Sequence, residues 1–180
     1  MVRQFSDEPV ATESLDRILR NAVRGPSAGF SQGQAFLVLT GPDLKRFWAV
    51  AGAAAAPSVT AAPLVIVPMS AKRVYLDRYA QPDKGFTDRS DSWWPSPYWD
   101  IDTGMASLMM LLTAVDAGLG ACFFGISIDR IDSYRDAFGV PPQFHPIGAI
   151  SVGYSDEPAR DLRARRKPES DTVHRGRWSQ

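Results

Sequence analysis

Residues 100–126 read DIDTGMASLMMLLTAVDAGLGACFFGI. On a helix over 102–117, Met105, Leu108, Met109, Leu111, Leu112 and Val115 leave little polar face. A helix that is apolar nearly all round is a central one, buried by its own fold or by a second subunit. Asp100 and Asp102 are placed to cap its start, and Gly118 to end it. GACFFGI then reads as a short strand. A chain of 180 residues has little room to bury such a helix alone. The stretch therefore predicts an obligate homodimer with a shared core.

Outward from this stretch, helices and strands alternate. On the C-terminal side, DRIDSYRDAFG (129–139) is a short amphipathic helix with Ile131, Tyr134 and Phe138 on one face. PIGAISVGY (146–154) is a strand. The charged segment that follows is a C-terminal extension, 156–180, lying over the surface or over another chain. On the N-terminal side, PDKGFTDRSDSWWPSPYW (82–99) is rich in proline and polar residues and reads as a long loop. Loops of this length inside a compact domain are uncommon and often functional. AKRVYLDRYAQ (71–81) is helical. PLVIVPM (63–69) is a continuous apolar run, as expected of a strand buried on both faces. GPDLKRFWAVAG (41–52) suits a helix with Pro42 in its first turn. FLVLT (36–40) is a short buried strand. TESLDRILRNAVRG (12–25) is the clearest helix, with Thr12 as N-cap and Gly25 as stop. The long central helix and the tail do not fit a simple doubly wound sheet, which leaves α+β or α/β in a single domain, 1–180.

Composition narrows the function. Twenty basic and twenty acidic residues give a formal charge of zero, with no electrostatic footprint for nucleic acid or an anionic membrane. A lone cysteine, Cys122, allows no internal disulfide and no Cys cluster for zinc, which suits a reducing cytoplasm. MVRQFSDEPV has no apolar core of a signal peptide. The apolar stretch 49–69 carries Pro57, Pro63 and Pro68 and reads as a helix end, a loop and a strand, not a membrane span. No GxGxxG follows a strand, no GxxxxGK[ST] occurs, and GISID is not a nucleophile elbow. His145 and His174 are far apart, so no metal is expected; Cys122 reads as a buried small apolar residue.

Three features remain. The turn GPSAGFSQGQAF (25–36) offers backbone N–H groups and short side chains to a flat polar heterocycle or a phosphoryl group, or is an ordinary connection. Arg163, Arg165, Arg166 and Lys167 form either a solvated face or a phosphate site, because a guanidinium pairs two phosphate oxygens at once. Trp93, Trp94, Tyr98 and Trp99 must cover something: the core, a partner, or a planar ligand.

VRQFSDEPV (2–10), GPSAGFSQ (25–32), GLGACFFG (118–125) and RRKP (165–168), in that order and over nearly the whole chain, resemble the nitroreductase family of FMN-dependent oxidoreductases. The resemblance implies an α+β fold, a central mixed or antiparallel sheet flanked by helices, in an interlocked homodimer with FMN at the interface. It implies hydride transfer from NADH or NADPH through the flavin to a nitro-aromatic, quinone or similar small acceptor. Carried over by position, Arg3 approaches the pyrimidine side of the flavin, and Pro26, Ser27, Ala28, Phe30 and Gln32 line its turn. Gly125 turns a backbone N–H toward N5, and Arg165, Arg166 and Lys167 hold the phosphate. Trp93, Trp94, Tyr98 and Phe124 are the candidate substrate contacts, with the 82–99 loop as lid. Two departures stand out. The family's usual Arg-Arg-Ser stretch would lie before Met1, and the turn has Phe30, Gly33 and Gln34 where the family commonly has Asn, Pro and Trp. The Gly-Phe pair is similar to the dimethylbenzimidazole synthase branch. The alternative is a protein of this fold that binds a flavin or deazaflavin without turnover.

Overall fold

The computed structural model describes residues 1–51, 57–158 and 161–178. The expected end of the second helix at Gly52, and residues 53–56 after it, lie outside them. The elements are α1 (Thr12–Ala22), β1 (Gln34–Thr40), α2 (Pro42–Ala51), β2 (Leu64–Ser70), α3 (Lys72–Tyr79), α4 (Tyr98–Asp116), β3 (Gly120–Phe124), α5 (Ile131–Phe138), β4 (His145–Pro146) and β5 (Ala149–Gly153). The sheet runs β1-β2-β5-β3, with β4 paired to the end of β2. Every described pairing is antiparallel, which decides for α+β over α/β. Thr40 pairs with Leu64, so the chain leaves β1 and re-enters β2 opposite the same point, and the two strands are joined at one end and not by a crossover. Phe124 and Ala149 frame an excursion, which carries α5.

Helices cover both faces. Ile18 and Ala22 of α1 and Met110 and Ala114 of α4 pack on Leu64, Ile66, Ile150 and Val152. Phe47 and Ala51 of α2 and Tyr134 of α5 pack on Val65, Val67, Met69 and Ala149. Alternate residues of β2 therefore face opposite layers and the whole strand is buried, as its unbroken apolar run implied. Pro68 sits in this central strand without disrupting it. On one side it falls in the gap between the β5 and β4 pairings, where a missing N–H breaks no ladder bond, and its carbonyl still accepts from Ile147 N–H at 3.0 Å.

Several expected boundaries move. Thr12 is the first residue of α1; the cap is Ala11, which makes no side-chain capping bond, and the helix stops at Ala22, short of Gly25. Helix α4 starts at Tyr98, directly after Pro97, so Tyr98 and Trp99 belong to it and not to the loop. Pro97 supplies the preset φ and the carbonyl that accepts the Ile101 N–H. Asp100 and Asp102 are then inside the helix and cannot cap it; tertiary partners take their side chains. Nor is α4 buried all round. Asp102, Thr103, Ala106, Ser107, Met110, Thr113 and Ala114 face inward, while Ile101, Leu108, Leu112 and Val115 are exposed along the other side. Their spacing of seven, four and three residues makes one continuous stripe. No helix among the described residues is long and apolar enough to cross a membrane.

Candidate functional site

The turn before β1 is unusual backbone. Gly29, Phe30 and Gln32 all have positive φ, at 60°, 56° and 54°. Non-glycine residues rarely hold this conformation, and when they do the surroundings impose it, often at a functional site. Here the surroundings are visible. Ala28 N–H donates to Asp102 Oδ2 at 2.7 Å, and Tyr75 OH donates to the same oxygen at 2.8 Å. Arg78 Nε donates to the Gly29 carbonyl at 3.1 Å while its guanidinium grips Asp83 through two further bonds. Ala71 N–H donates to the Gly33 carbonyl at 2.7 Å.

The turn also closes on itself. Phe30 N–H donates to the Ser27 carbonyl, Ser31 N–H and Oγ to the Ala28 carbonyl, and Gln32 N–H to Ser27 Oγ. The expectation that this turn offers its backbone N–H groups to a ligand therefore changes: those of Ala28, Phe30, Ser31 and Gln32 are engaged within the protein. What the turn presents is the Phe30 ring, 76% exposed, and the exposed Gln32 side chain. The Gln34 Oε1 atom at its foot is buried without a hydrogen bond.

Both glycines rest on tyrosines of α3. A Cβ on Gly33 would lie 2.5 Å from the Tyr75 ring, and one on Gly29 would lie 2.6 Å from the Tyr79 ring. Gly33 stands where the nitroreductase pattern commonly has proline, and Tyr75 is the physical reason. The same tyrosines carry the aromatic loop. Trp94 is its hub: its ring centre lies 4.5 Å from Tyr79, 5.8 Å from Tyr98 and Trp99, and 6.2 Å from Tyr75. Trp93 stays half exposed at the rim, with its Nε1 donating to Asp88 at 3.0 Å and its ring edge-on to Phe86. Lys72 pairs with Asp91 and lies over the Trp99 ring. Two features that the sequence holds apart, the turn and the loop, are thus one aromatic-backed wall. Phe124 does not join it; it stacks on Trp48 on another part of the molecule.

At the far end of the sheet, Arg3 and Arg165 line a hollow of about 340 Å³ with Val2, Ser155, Glu157 and Leu162. The chain start is anchored there: Val2 N–H donates to Ala121 O, Arg3 N–H to Glu157, and Phe5 bridges Ser155. Arg166 and Lys167 are exposed and do not line this hollow, and Arg163 is turned away into a fork with Asp161. Gly125 follows β3 at the opposite end of that strand, with open space where a Cβ would stand. Four residue steps along the strand separate Ala121 from Gly125, about 13 Å. The turn lies at the diagonally opposite corner from Arg3, beyond the other outer strand, on the order of 20 Å away by strand spacing and rise.

Asp102, Tyr75 and Tyr79 join the turn only in the folded chain, and no motif in the sequence marks them. Asp102 reads there as a helix cap; the signal for more was the polar trio Asp102, Thr103 and Ser107 recurring on one side of an otherwise apolar helix. Burial, and then the bond to Asp102, push the Tyr75 hydroxyl well above its ordinary range, so it remains a donor. Burial likewise raises Cys122, which lies among Phe5, Val59 and Ala62.

The model of the nitroreductase family matches residues 1–154. The chain belongs to the nitroreductase family. A Methanothermobacter thermautotrophicus protein named "Putative NADH dehydrogenase/NAD(P)H nitroreductase" is 29% identical over 98% of this chain and 82% of its own length. Among solved structures, a nitroreductase family protein of Clostridium difficile 630 superposes with a TM-score of 0.75 at 23% identity, covering 98% of this chain and 93% of its own. An FMN-dependent nitroreductase of Clostridium difficile R20291 superposes with a TM-score of 0.72 at 22% identity, covering 98% and 94%. Family membership makes the chain an oxidoreductase. The antiparallel sheet with helices on both faces is the nitroreductase fold.

Proposed function

We propose that the chain is an FMN-dependent NAD(P)H oxidoreductase, acting as a cytoplasmic homodimer on a nitro-aromatic, quinone or similar small acceptor. The observation that carries this reading is the turn at 28–33: two strained non-glycine residues held over tyrosines by a buried carboxylate, in a nitroreductase chain. The residues fit the cofactor. Two arginines lining one hollow suit a phosphate, even with Glu157 beside them. The open backbone at Gly125 accommodates the approach of a flat ring. The orphaned Gln34 Oε1 is an acceptor in want of a donor, and a flavin imide N–H is one.

In this reading Arg165 holds the phosphate, with Arg166 and Lys167 reaching in from the exposed tail; Arg3, expected at the pyrimidine side of the flavin, shares the hollow of Arg165 and is reassigned to the phosphate end. Gly125, about 13 Å along β3 from Ala121, would turn its backbone N–H toward the ring. The turn of the same chain precedes β1, three strand spacings or about 14 Å across the sheet from β3 and Gly125, so in this reading Pro26, Ser27, Ala28, Phe30 and Gln32 come from a second copy. The exposed stripe Ile101, Leu108, Leu112 and Val115 on α4 is the surface such a copy would cover. When bound, FMN would supply a two-electron carrier between NADH or NADPH and the acceptor. The protein's part is to orient the ring, exclude water with the Trp93 and Tyr98 side of the wall, and hold the phosphate.

The test is spectroscopic. Purified protein given FMN should turn yellow, bleach with NADH or NADPH and recolour on adding a quinone. Protein that takes up no FMN defeats the proposal. Sedimentation as a folded monomer at micromolar concentration defeats the two-chain site.

A further inference from the structure

Asp102 touches no surface, being 2% exposed, yet it is the meeting point of three elements. It projects from α4; its Oδ2 accepts from the backbone of the turn and from the hydroxyl of Tyr75 on α3. The Tyr75 ring in turn fills the space under Gly33. Two residues earlier, Asp100 accepts from Ser70 Oγ at 2.6 Å and ties the start of α4 to the end of β2, opposite Gln34. The turn between these ties holds Phe30 and Gln32 in a conformation that neither side chain favours on its own.

We propose that Asp102 is a positioning residue. Through the Ala28 N–H and the Tyr75 hydroxyl it holds residues 28–33 in the shape on which a flavin ring rests, and so sets flavin affinity without touching the flavin. The inference rests on the FMN reading above and names the part of the chain that makes it work. A buried carboxylate is a costly group to keep, and its retention is explained by what it accepts. An ordinary backbone connection would close with its own carbonyls; this one adds an acceptor from a helix 74 residues away in sequence. Once desolvated, a charged acceptor is about twice as strong as a neutral one. The high pKa of the Tyr75 hydroxyl keeps that donor in place across the working pH range.

The experiment uses full-length protein at a temperature well below melting. Asp102→Ala removes the acceptor, Asp102→Asn keeps an oxygen able to accept both bonds without the charge, and Tyr75→Phe removes one donor while leaving the Ala28 bond. Two quantities are read for each: the FMN dissociation constant by titration, and hydrogen exchange of amides 28–33 in protein without FMN. In Asp102→Ala the dissociation constant should rise about tenfold or more, and the amides of Phe30, Ser31 and Gln32 should exchange faster. Asp102→Asn and Tyr75→Phe should fall between it and the wild type. They carry the test by themselves should Asp102→Ala not fold. Variants that melt earlier but keep wild-type FMN affinity and wild-type exchange at 28–33 overturn the proposal. Wild-type protein that binds no FMN overturns the flavin reading instead, and the hold on the turn then stands or falls on the exchange data alone.

Discussion

The turn at 26–34 and the tail at 161–178, which the proposed function brings to the same cofactor, are held in opposite ways. The turn is fixed from a distance: by Asp102 of α4, by Tyr75, Arg78 and Tyr79 of α3, and by Ala71. The tail is fixed locally. Arg163 forks onto Asp161 two residues away, Arg175 faces Glu169, His174 stacks on Trp178, and its Leu162, Val173 and Trp178 are exposed. Long-range ties desolvate their partners and resist water; exposed local ion pairs contribute little. A ring that must be oriented needs the first kind of support. A phosphate, which is recognised by charge, tolerates the second, and a tail that gains order on meeting a ligand or a second chain is suited to it.

The largest expected effect lies in the tail, and it is on binding alone. Replacing Arg165 and Arg166 together by alanine should weaken FMN binding by roughly 1.5 to 3 kcal/mol for each charge-assisted bond lost. The melting temperature of the protein without FMN should not move. Isothermal titration with a calorimetric melt checks both, and unchanged FMN affinity would return the cluster to a solvated face.

Next is the support beneath the turn. Trp94→Ala empties the hub of the aromatic cluster and should cost about 3 kcal/mol of stability, while Trp93→Ala at the rim should cost less than about 1 kcal/mol. Chemical denaturation separates them. If Trp93 serves as a wall for acceptors, its loss raises the Michaelis constant for an aromatic acceptor with flavin content unchanged. Equal destabilisation by both would make Trp93 a core residue.

Gly33→Ala is a smaller change in the turn itself. It forces a methyl group against the Tyr75 ring and should cost about 1 to 3 kcal/mol, seen as a drop in melting temperature of a few degrees per kcal/mol. Tyr75→Phe does not relieve the clash, since the contact is with a ring carbon; a Gly33→Ala variant as stable as the wild type would show that the turn is looser than its contacts.

The smallest effect is a slope in alkali. Tyr75 and Tyr134 are both raised above the ordinary 10.0, chiefly by burial. Above that pH the unfolded chain gives up these protons and the folded one keeps them, so stability falls as pH rises past about 10. Tyr75→Phe should flatten the slope of stability against pH in that range, and a slope unchanged in the variant would mean that Tyr75 titrates normally.

The turn and the tail also differ in how far each was legible. The basic tail, the aromatic loop, the apolar central helix and the buried strand at 64–70 are compositional facts, readable because charge, ring count and unbroken hydrophobicity need no partner to be seen. The order of four short motifs carried the family. Periodicity placed the helices to within a few residues, and missed the start of α4 because caps are decided by side-chain bonds that alternatives can outbid: Asp100 and Asp102 had Ser70, Ala28 and Tyr75 to bond instead. The antiparallel sense of the strands, the break that accommodates Pro68, the two unlike faces of α4, and the joining of turn and loop through Tyr75 and Tyr79 came only with the tertiary structure. Each depends on which residues distant in sequence meet across the sheet, and a local pattern holds no record of that. A polar residue's spacing tells that it avoids the apolar face of a helix; only packing tells that Asp102 breaks this rule because a strained turn lies above it.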